Sequence, residues 1–554
     1  MQMFETPRCR VGRFGIHLFP AYALVLLGLV APSTSWAQQS AEEGSGTSDE
    51  PEVVLLAAVT GPLTRDITTA YPDAQAYFNQ GLQMMYAFTI PNAVESFQEA
   101  QRRDADCAMC FFGEAWARGP FLNGRMRPSN APLAYQAIQT AIVLAEESAT
   151  PSERALINAM AIRYTEEEDA DRRPQLDSMY SQAMAEVYQD FPYDLDVGTL
   201  YAESLILLDP VRANYRLGDP SVQKFHRVLE AVLARDINHP GACHIYIHAT
   251  EATEEPGKAE SCADLLGASI PGSSHINHMP SHTYNRIGRW NSAVRSNLDA
   301  WHSDQRVAFR EGVSYGATHN LHMLLFAGSM AGQGAVSLLA AQAYADQVEG
   351  GVFYEALVML RYGWFDKILD IADETPDTDR PIQRGLFQFA QGYAHLRSGE
   401  ADLARVYLER VKDAAATLPE STQIRGATAA RLLGTAAGIL EGEILREEGL
   451  LDPAIRVFEE AVELYAPIPY AEPEALNFSP RHWLGAALLE AGRAGEAEQV
   501  YRDALVHHPH NGWSIYGLEQ ALLAQGRDAE ADEARAHFRA AWSNTDTLIR
   551  SSRF

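Results

Sequence analysis

The chain has 554 residues, is 47% hydrophobic and 21% charged, and carries a formal net charge of −29 with neutral histidines. Its length suffices for several domains or one long repeat array. Excess acid of this size excludes nucleic acid and anionic lipid as natural partners. It is compatible with cation capture, although a dispersed acidic surface also serves solubility alone.

Residues 1–37 read as a secretory signal peptide. Arg8, Arg10 and Arg13 form a basic segment, Ala21 to Val30 an apolar run, and Ser35-Trp36-Ala37 a small-x-small cleavage site before Gln38. The apolar run is short for a membrane span, and no other stretch approaches the length required. The expected location is therefore periplasmic or secreted, with no membrane span after cleavage. The mature chain would keep 41 basic and 72 acidic residues, net −31. In that compartment Cys107 and Cys110 can form a short-range disulfide. Cys243 and Cys262 can also pair, but a helical hairpin pivoting at residues 254–255 sets them four residues out of register, roughly 6 Å of helix rise.

Residues 38–70 are expected to be a flexible lead-in, most clearly the Gln, Ser, Glu, Gly and Asp stretch up to about residue 52. From Asp73 onward apolar residues recur every three and four positions, and Gly or Pro separates short segments. No run of alternating β-branched residues suggests a sheet, so the expected fold class is all-α. Three helical stretches follow in order, at 71–235, 236–350 and 351–554. Glu166–Arg173 and Asp373–Pro381 read as loops or joints.

Several helical segments share one spacing of small and aromatic residues. Gly485, Gly492, Ala497, Tyr501, Ala504 and Pro509 follow a small–small–small–aromatic–small–proline order. Gly442, Gly449, Ala454, Phe458 and Ala461 repeat it, as do Gly392, Gly399, Ala404 and Leu408, and Gly81, Ala93, Phe97 and Ala100. Asp452-Pro453 reads as an N-cap followed by proline at the first helical position. The small residues admit a close helix approach, and the aromatic fills the seam. Tyr284, Gly288, Trp290, Ala293 and Ala300 fit one further unit, and the unit before it opens at Asn238-His239-Pro240, with Pro256 starting its second helix.

Histidines are concentrated in these two units and the next. His244 and His278 lie 34 residues apart, as do His248 and His282. His244, His248 and Glu251 sit at i, i+4 and i+7; His275, His278 and His282 at i, i+3 and i+7; His319 and His322 at i, i+3. Each set falls on one face of a helix.

The 34-residue period and the small–aromatic order resemble the tetratricopeptide-repeat (TPR) family over most of residues 74–540. That resemblance implies a right-handed superhelical solenoid of helix–turn–helix repeats whose first helices line a concave groove. With Gly288 at the fifteenth position of its repeat, His275, His278, His282, Asn285 and Arg286 take the five groove-facing positions. His244, His248 and Glu251 take three in the preceding repeat, and His482 one in the last clear unit. His319 and His322 take two if Gly332 is the fifteenth position. A narrower resemblance, carried by residues 239–251, His278-Met279-Pro280-Ser281-His282, His319-Asn320-Leu321-His322 and Asn511-Gly512-Trp513, is to exported bacterial TPR proteins. It implies fold and export.

The histidine faces, with a carboxylate in phase, point to a transition metal, with zinc or copper as first choices and nickel or iron also acceptable. The candidate ligands are His244, His248, Glu251, His275, His278, His282, His319 and His322. Met279 and Met323 adjoin them and favour copper slightly, or serve packing. Glu251 is either a ligand or, in a catalytic site, the base that deprotonates a metal-bound water. Tyr246, Tyr284 and Arg286 are candidates to orient a substrate. The alternative reading is a scaffold whose groove histidines meet a peptide or protein ligand without metal.

Gly312-Val313-Ser314-Tyr315-Gly316 matches a nucleophile-elbow pattern, but that elbow needs a strand before a helix, so Ser314 is expected to be a loop residue. Glu114, Trp116, Arg118 and Asn123 are read as a helix end and turn.

Overall fold

The computed structural model describes residues 53–209, 211–371 and 380–554. The expected signal peptide at 1–37, and most of the loop expected at Asp373–Pro381, lie outside these residues. Residues Val53–Phe554 form one compact unit. Its architecture is all-α: antiparallel helix pairs follow one another along the chain, such as Pro72–Tyr86 with Ile90–Arg103 and Arg481–Glu490 with Ala494–His507. Among the described residues the only paired strands are Gln423–Ile424 and Ala427–Thr428. No helix among them is long and apolar enough to cross a membrane.

The small–aromatic order acts as the sequence predicts. The Phe97 ring is clasped by two glycines: an added Cβ would lie 2.6 Å from it at Gly81 and 2.4 Å at Gly113. Tyr501 is held in the same way between Gly485 and Gly517, at 2.5 and 2.2 Å. Each fully buried aromatic of this kind stabilises by about 2–3 kcal/mol, so the seams are a large share of what holds the array together. Asp452 differs from expectation in detail. The helix runs Leu451–Tyr465, so Asp452 lies in its first turn, where its charge favours the positive end of the helix dipole.

Residues 53–70 are not a loose lead-in. Their backbone is held by side-chain amides of the first helix: Leu56 N–H donates to Gln80 at 2.6 Å and Gly61 N–H to Gln83 at 2.7 Å. Val59 is fully buried. This segment, apolar from Val53 to Val59, lies down here because it buries Val59 while the glutamines satisfy its backbone.

Both cysteine pairs are disulfides, Cys107–Cys110 and Cys243–Cys262, the latter with its Cα atoms 5.0 Å apart. The expected four-residue misregister does not arise: the second helix is short, Glu260–Leu266, and is entered through a 3-10 turn, Pro256–Ala259, rather than by a simple hairpin pivot at residues 254–255.

The late repeats fold back onto the histidine-bearing ones. Trp513 Nε1 donates to the Ser329 carbonyl at 3.0 Å, and Trp290 Nε1 to the Pro509 carbonyl at 2.8 Å. Gly288 sits at this junction with φ 77°, and an added Cβ would lie 2.1 Å from the Pro509 oxygen; only glycine meets both demands. This closure covers the face on which the histidines stand.

Candidate metal centre

Helix Pro240–Thr250 begins on the His239 side chain, which accepts from the Ala242 N–H, and presents His244 and His248 one turn apart. Glu251 follows at its C-terminal end. The second histidine segment is two helices, Ser274–His278 and Pro280–Ile287. Pro280 interrupts the hydrogen-bond ladder, yet Met279 keeps helical dihedrals, so His275, His278 and His282 still face one way. His319 and His322 stand near the start of helix Ala317–Ala331.

The three elements converge. His244, His248 and His275 each offer a ligand atom within 4.8 Å of the others, and so do His278, His282 and His319. Three ligands around one ion at about 2.1 Å sit roughly 3.4 Å apart, so each trio needs only modest adjustment to close on a metal. The pairing was not legible in sequence: His275 leaves its own helical neighbours and joins the preceding repeat, while His319 joins His278 and His282. His322 belongs to neither trio. It is buried against the Tyr354 ring at 4.5 Å, one turn from His319 and turned into the packing. His482 is also elsewhere, bonded to Arg361 and Ser514.

Four of the six trio histidines have Nδ1 tied to an oxygen. His244 Nδ1 meets the Tyr86 carbonyl at 2.6 Å, and His278 Nδ1 the Asn297 Oδ1 at 2.6 Å. His248 Nδ1 meets Glu251 Oε1 at 2.9 Å, and His282 Nδ1 Glu251 Oε2 at 2.5 Å. A carbonyl, a carboxylate and the Asn297 oxygen, oriented by its Nδ2 donating to Ala293, can only accept. Each Nδ1 therefore carries the proton, and Nε2 of a neutral ring carries a lone pair. His244 Nε2, His248 Nε2 and both His275 nitrogens are buried without a hydrogen-bond partner. His278 Nε2 and His282 Nε2 face each other at 2.8 Å. Two lone pairs cannot share that distance, so one of the two rings carries a proton there.

The charge balance follows from the same contacts. Burial pushes His244 and His278 down to about 3 and drives His248, His275 and His319 well below the usual imidazole range. These rings are neutral, the form that binds metal. His282 moves the other way: burial disfavours its charge, but the adjoining Glu251 carboxylate outweighs that and raises it. Burial alone would raise Glu251; the charge and hydrogen bonds of His282 and His248 hold it well below the carboxylate range.

Glu251 is thus fully engaged at both oxygens, and Oε2 also accepts from the Tyr470 hydroxyl at 3.1 Å. His248, Glu251 and Glu472 lie close enough to form a third potential ligand set, but taking it would break the bonds that orient two imidazoles. Glu251 thus lies beneath both trios, hydrogen-bonded to His248 and His282.

A cavity of about 470 Å³ opens on the centre, and His248, His275, His282 and His319 all contribute to its wall. Asn123, Tyr315, Arg425 and Glu472 complete the polar lining. Asn123, read from sequence as part of a turn, lines this cavity and accepts from Arg212 at 2.9 Å. Arg286 donates to the Glu251 carbonyl at 2.8 Å. Tyr246 and Tyr284 point away, bonded to Glu230 and Asp264. Glu114 and Arg118 pair with each other. Ser314 donates to Asp304 in a loop, and its motif serves to place Tyr315, whose ring lies 4.7 Å from His275.

Sequence reasoning missed Phe88, Asn297, Arg425, Tyr470 and Glu472. Two had a signal in the loop they share: residues 466–480 separate helices Leu451–Tyr465 and Arg481–Glu490, where the next repeat connection, 508–511, is a short turn, and long connections often carry function. Phe88 and Arg425 both hold positive φ, 57° and 49°, a conformation bulky residues adopt at a cost. The Phe88 ring packs 4.3 Å from His244.

Fold and site together define a helical-repeat protein with a buried polyhistidine centre. No protein-family model and no curated protein matches the chain. Among solved structures it is similar to Ypp1 (8% identity, 87% of this chain and 78% of that one, TM-score 0.39). It is also similar to the Cut9–Hcn1 hetero-tetramer of APC/C (11%, 85% and 87%, 0.31) and to the human IFIT1 dimer with m7Gppp-AAAA (10%, 86% and 91%, 0.28). At these scores the likeness carries no argument; the repeat architecture rests on the helix pairs and their glycine–aromatic seams.

Proposed function

We propose that this is an exported protein that binds a transition metal, zinc or copper, through its histidine centre. One observation carries the reading: four Nδ1 atoms are tied to oxygens, turning Nε2 inward. Metal-binding histidines are oriented by that kind of outer bond. Neutral buried rings with unpartnered nitrogens otherwise cost stability with nothing in return. Two disulfides support an oxidising compartment, as does the leader expected at 1–37. Three imidazoles leave an ion a further coordination position, as catalytic rather than structural sites do. If the centre is catalytic, Glu472 is the carboxylate on the cavity side.

The scaffold reading keeps one support, since helical arrays present extended surfaces to protein partners. The trio histidines are poor recognition groups for a peptide, because His244, His248, His275, His278 and His282 are all at most 3% exposed. The test is elemental analysis of the mature protein after dialysis. Retained zinc or copper, lost in a His248→Ala, His282→Ala double variant that stays helical, is the expected result. Wild-type protein that holds no metal and takes up none at micromolar concentration overturns it.

A further inference from the structure

We infer that the centre holds two metal ions side by side, one on His244, His248 and His275 and one on His278, His282 and His319, and that they share a small oxygen-donor ligand admitted from the cavity. The inference rests on the metal-binding reading above and extends it to stoichiometry and ligand class.

Three observations lead to a pair rather than a single ion. First, the ligand atoms separate into two complete trios, each closed within 4.8 Å and with no member in common. One ion cannot take six imidazoles drawn from these positions without abandoning the bonds that orient them. Second, the trios adjoin. The His248 and His282 rings are 5.6 Å apart, and those of His275 and His278 are 6.0 Å apart. Glu251 is hydrogen-bonded to one histidine of each trio through its two oxygens, so a single carboxylate fixes both sites relative to each other. A single structural ion would not need such a link. Third, two rings from each trio border the same cavity, His248 and His275 with His282 and His319. Three protein ligands leave each ion an open position, and the shared cavity is where both can be met.

A ligand there must reach two cations at once, which suits a compact oxygen donor such as water or hydroxide, and azide is a probe of the same reach. Two carboxylates at the centre, Glu251 and Glu472, with all six rings neutral once metal is bound, still leave a pair of divalent ions with net positive charge, which favours an anionic bridge. The cavity at about 470 Å³ also has space for a small organic substrate beside the ions, flanked by Asn123, Tyr315 and Arg425.

The experiment is copper(II) loading of the full mature protein, followed by metal analysis and electron paramagnetic resonance with and without azide. Wild type should bind two ions per chain, and azide should cut the integrated signal well below that of two isolated ions, because bridged copper spins couple. His244→Ala with His275→Ala, and separately His278→Ala with His319→Ala, should each retain one ion with a full uncoupled signal. One ion in wild type, lost entirely in either double variant, overturns the paired site and leaves metal binding standing. No ion at all overturns both readings. Two ions whose signals remain independent under azide overturn the shared ligand. Stoichiometry and coupling are read on wild type, so they decide even if a variant fails to fold.

Discussion

Glu251 and His282 stand 31 residues apart in sequence and 2.5 Å apart in space, Oε2 to Nδ1, both fully buried. The second oxygen of Glu251 reaches His248 in the preceding repeat. One carboxylate thus ties two adjacent repeats together at the level of their histidines.

Glu251→Gln should therefore act on affinity more than on capacity. The amide can accept from one Nδ1–H but turns a donor towards the other, and His282 loses its counter-charge. Metal affinity should fall about 10–100-fold, as for other residues that orient metal ligands, with full occupancy recovered at saturating metal. The metal-free protein should lose about 3–5 kcal/mol, the cost of removing one partner of a buried ion pair. A titration with paired denaturation curves checks both. Lost capacity at saturation would instead make Glu251 a ligand.

Tyr470→Phe isolates the contribution of the late loop. The ring keeps its stack under Arg286, 4.8 Å from the centroid, and only the hydroxyl bond to Glu251 disappears. A stability loss of about 1.5–3 kcal/mol is expected for a hydrogen bond to a buried charge, with faster metal release measured by transfer to a chelator. An unchanged release rate would remove Tyr470 from the centre.

Replacing Cys243 and Cys262 by alanine opens a disulfide of sequence separation 19 that braces the helix bearing His244 and His248. About 3 kcal/mol should be lost, and hydrogen exchange should quicken across Pro240–Thr250. Unaltered exchange there would show that packing alone holds the helix.

Gly485→Ala tests the repeat seam. The new methyl would lie 2.5 Å from the Tyr501 ring, and overpacking of this kind costs about 1–3 kcal/mol. Denaturant midpoints of this variant and of Tyr501→Leu should both fall, and their combination should fall by less than the sum.

Acid should loosen the loop that carries Tyr470. Burial would raise Glu474, but the His508 charge and hydrogen bonds from His508 and Tyr465 hold it down, to about 2. A depressed folded pKa means that its contribution is present above the unfolded value of roughly 4.3. It is lost as pH falls from there towards 2. Glu474→Gln should flatten the stability profile across that window and lower stability by a constant amount above about pH 6.

The sequence by itself determined the array. Glycines recurring opposite Phe97, Phe458 and Tyr501 specify helix pairs because only a residue without a side chain lets the ring in, a local and periodic requirement. It also put His244 and His248 on one face and His275, His278 and His282 on another, since helical phase follows from spacing. Tertiary structure decided which imidazoles meet. The packing of three helical segments against one another sets His275 with His244 and His248 and brings His319, but not His322, to His278 and His282. Closure of the array was equally hidden: Tyr470 reaches Glu251 across 219 residues, by a contact that no periodicity encodes. The partners of Glu251 were hidden for the same reason. Spacing placed it in line with the histidines, but whether a carboxylate faces a metal or the back of an imidazole depends on which nitrogen is turned towards it, and that is set by the packing of three repeats.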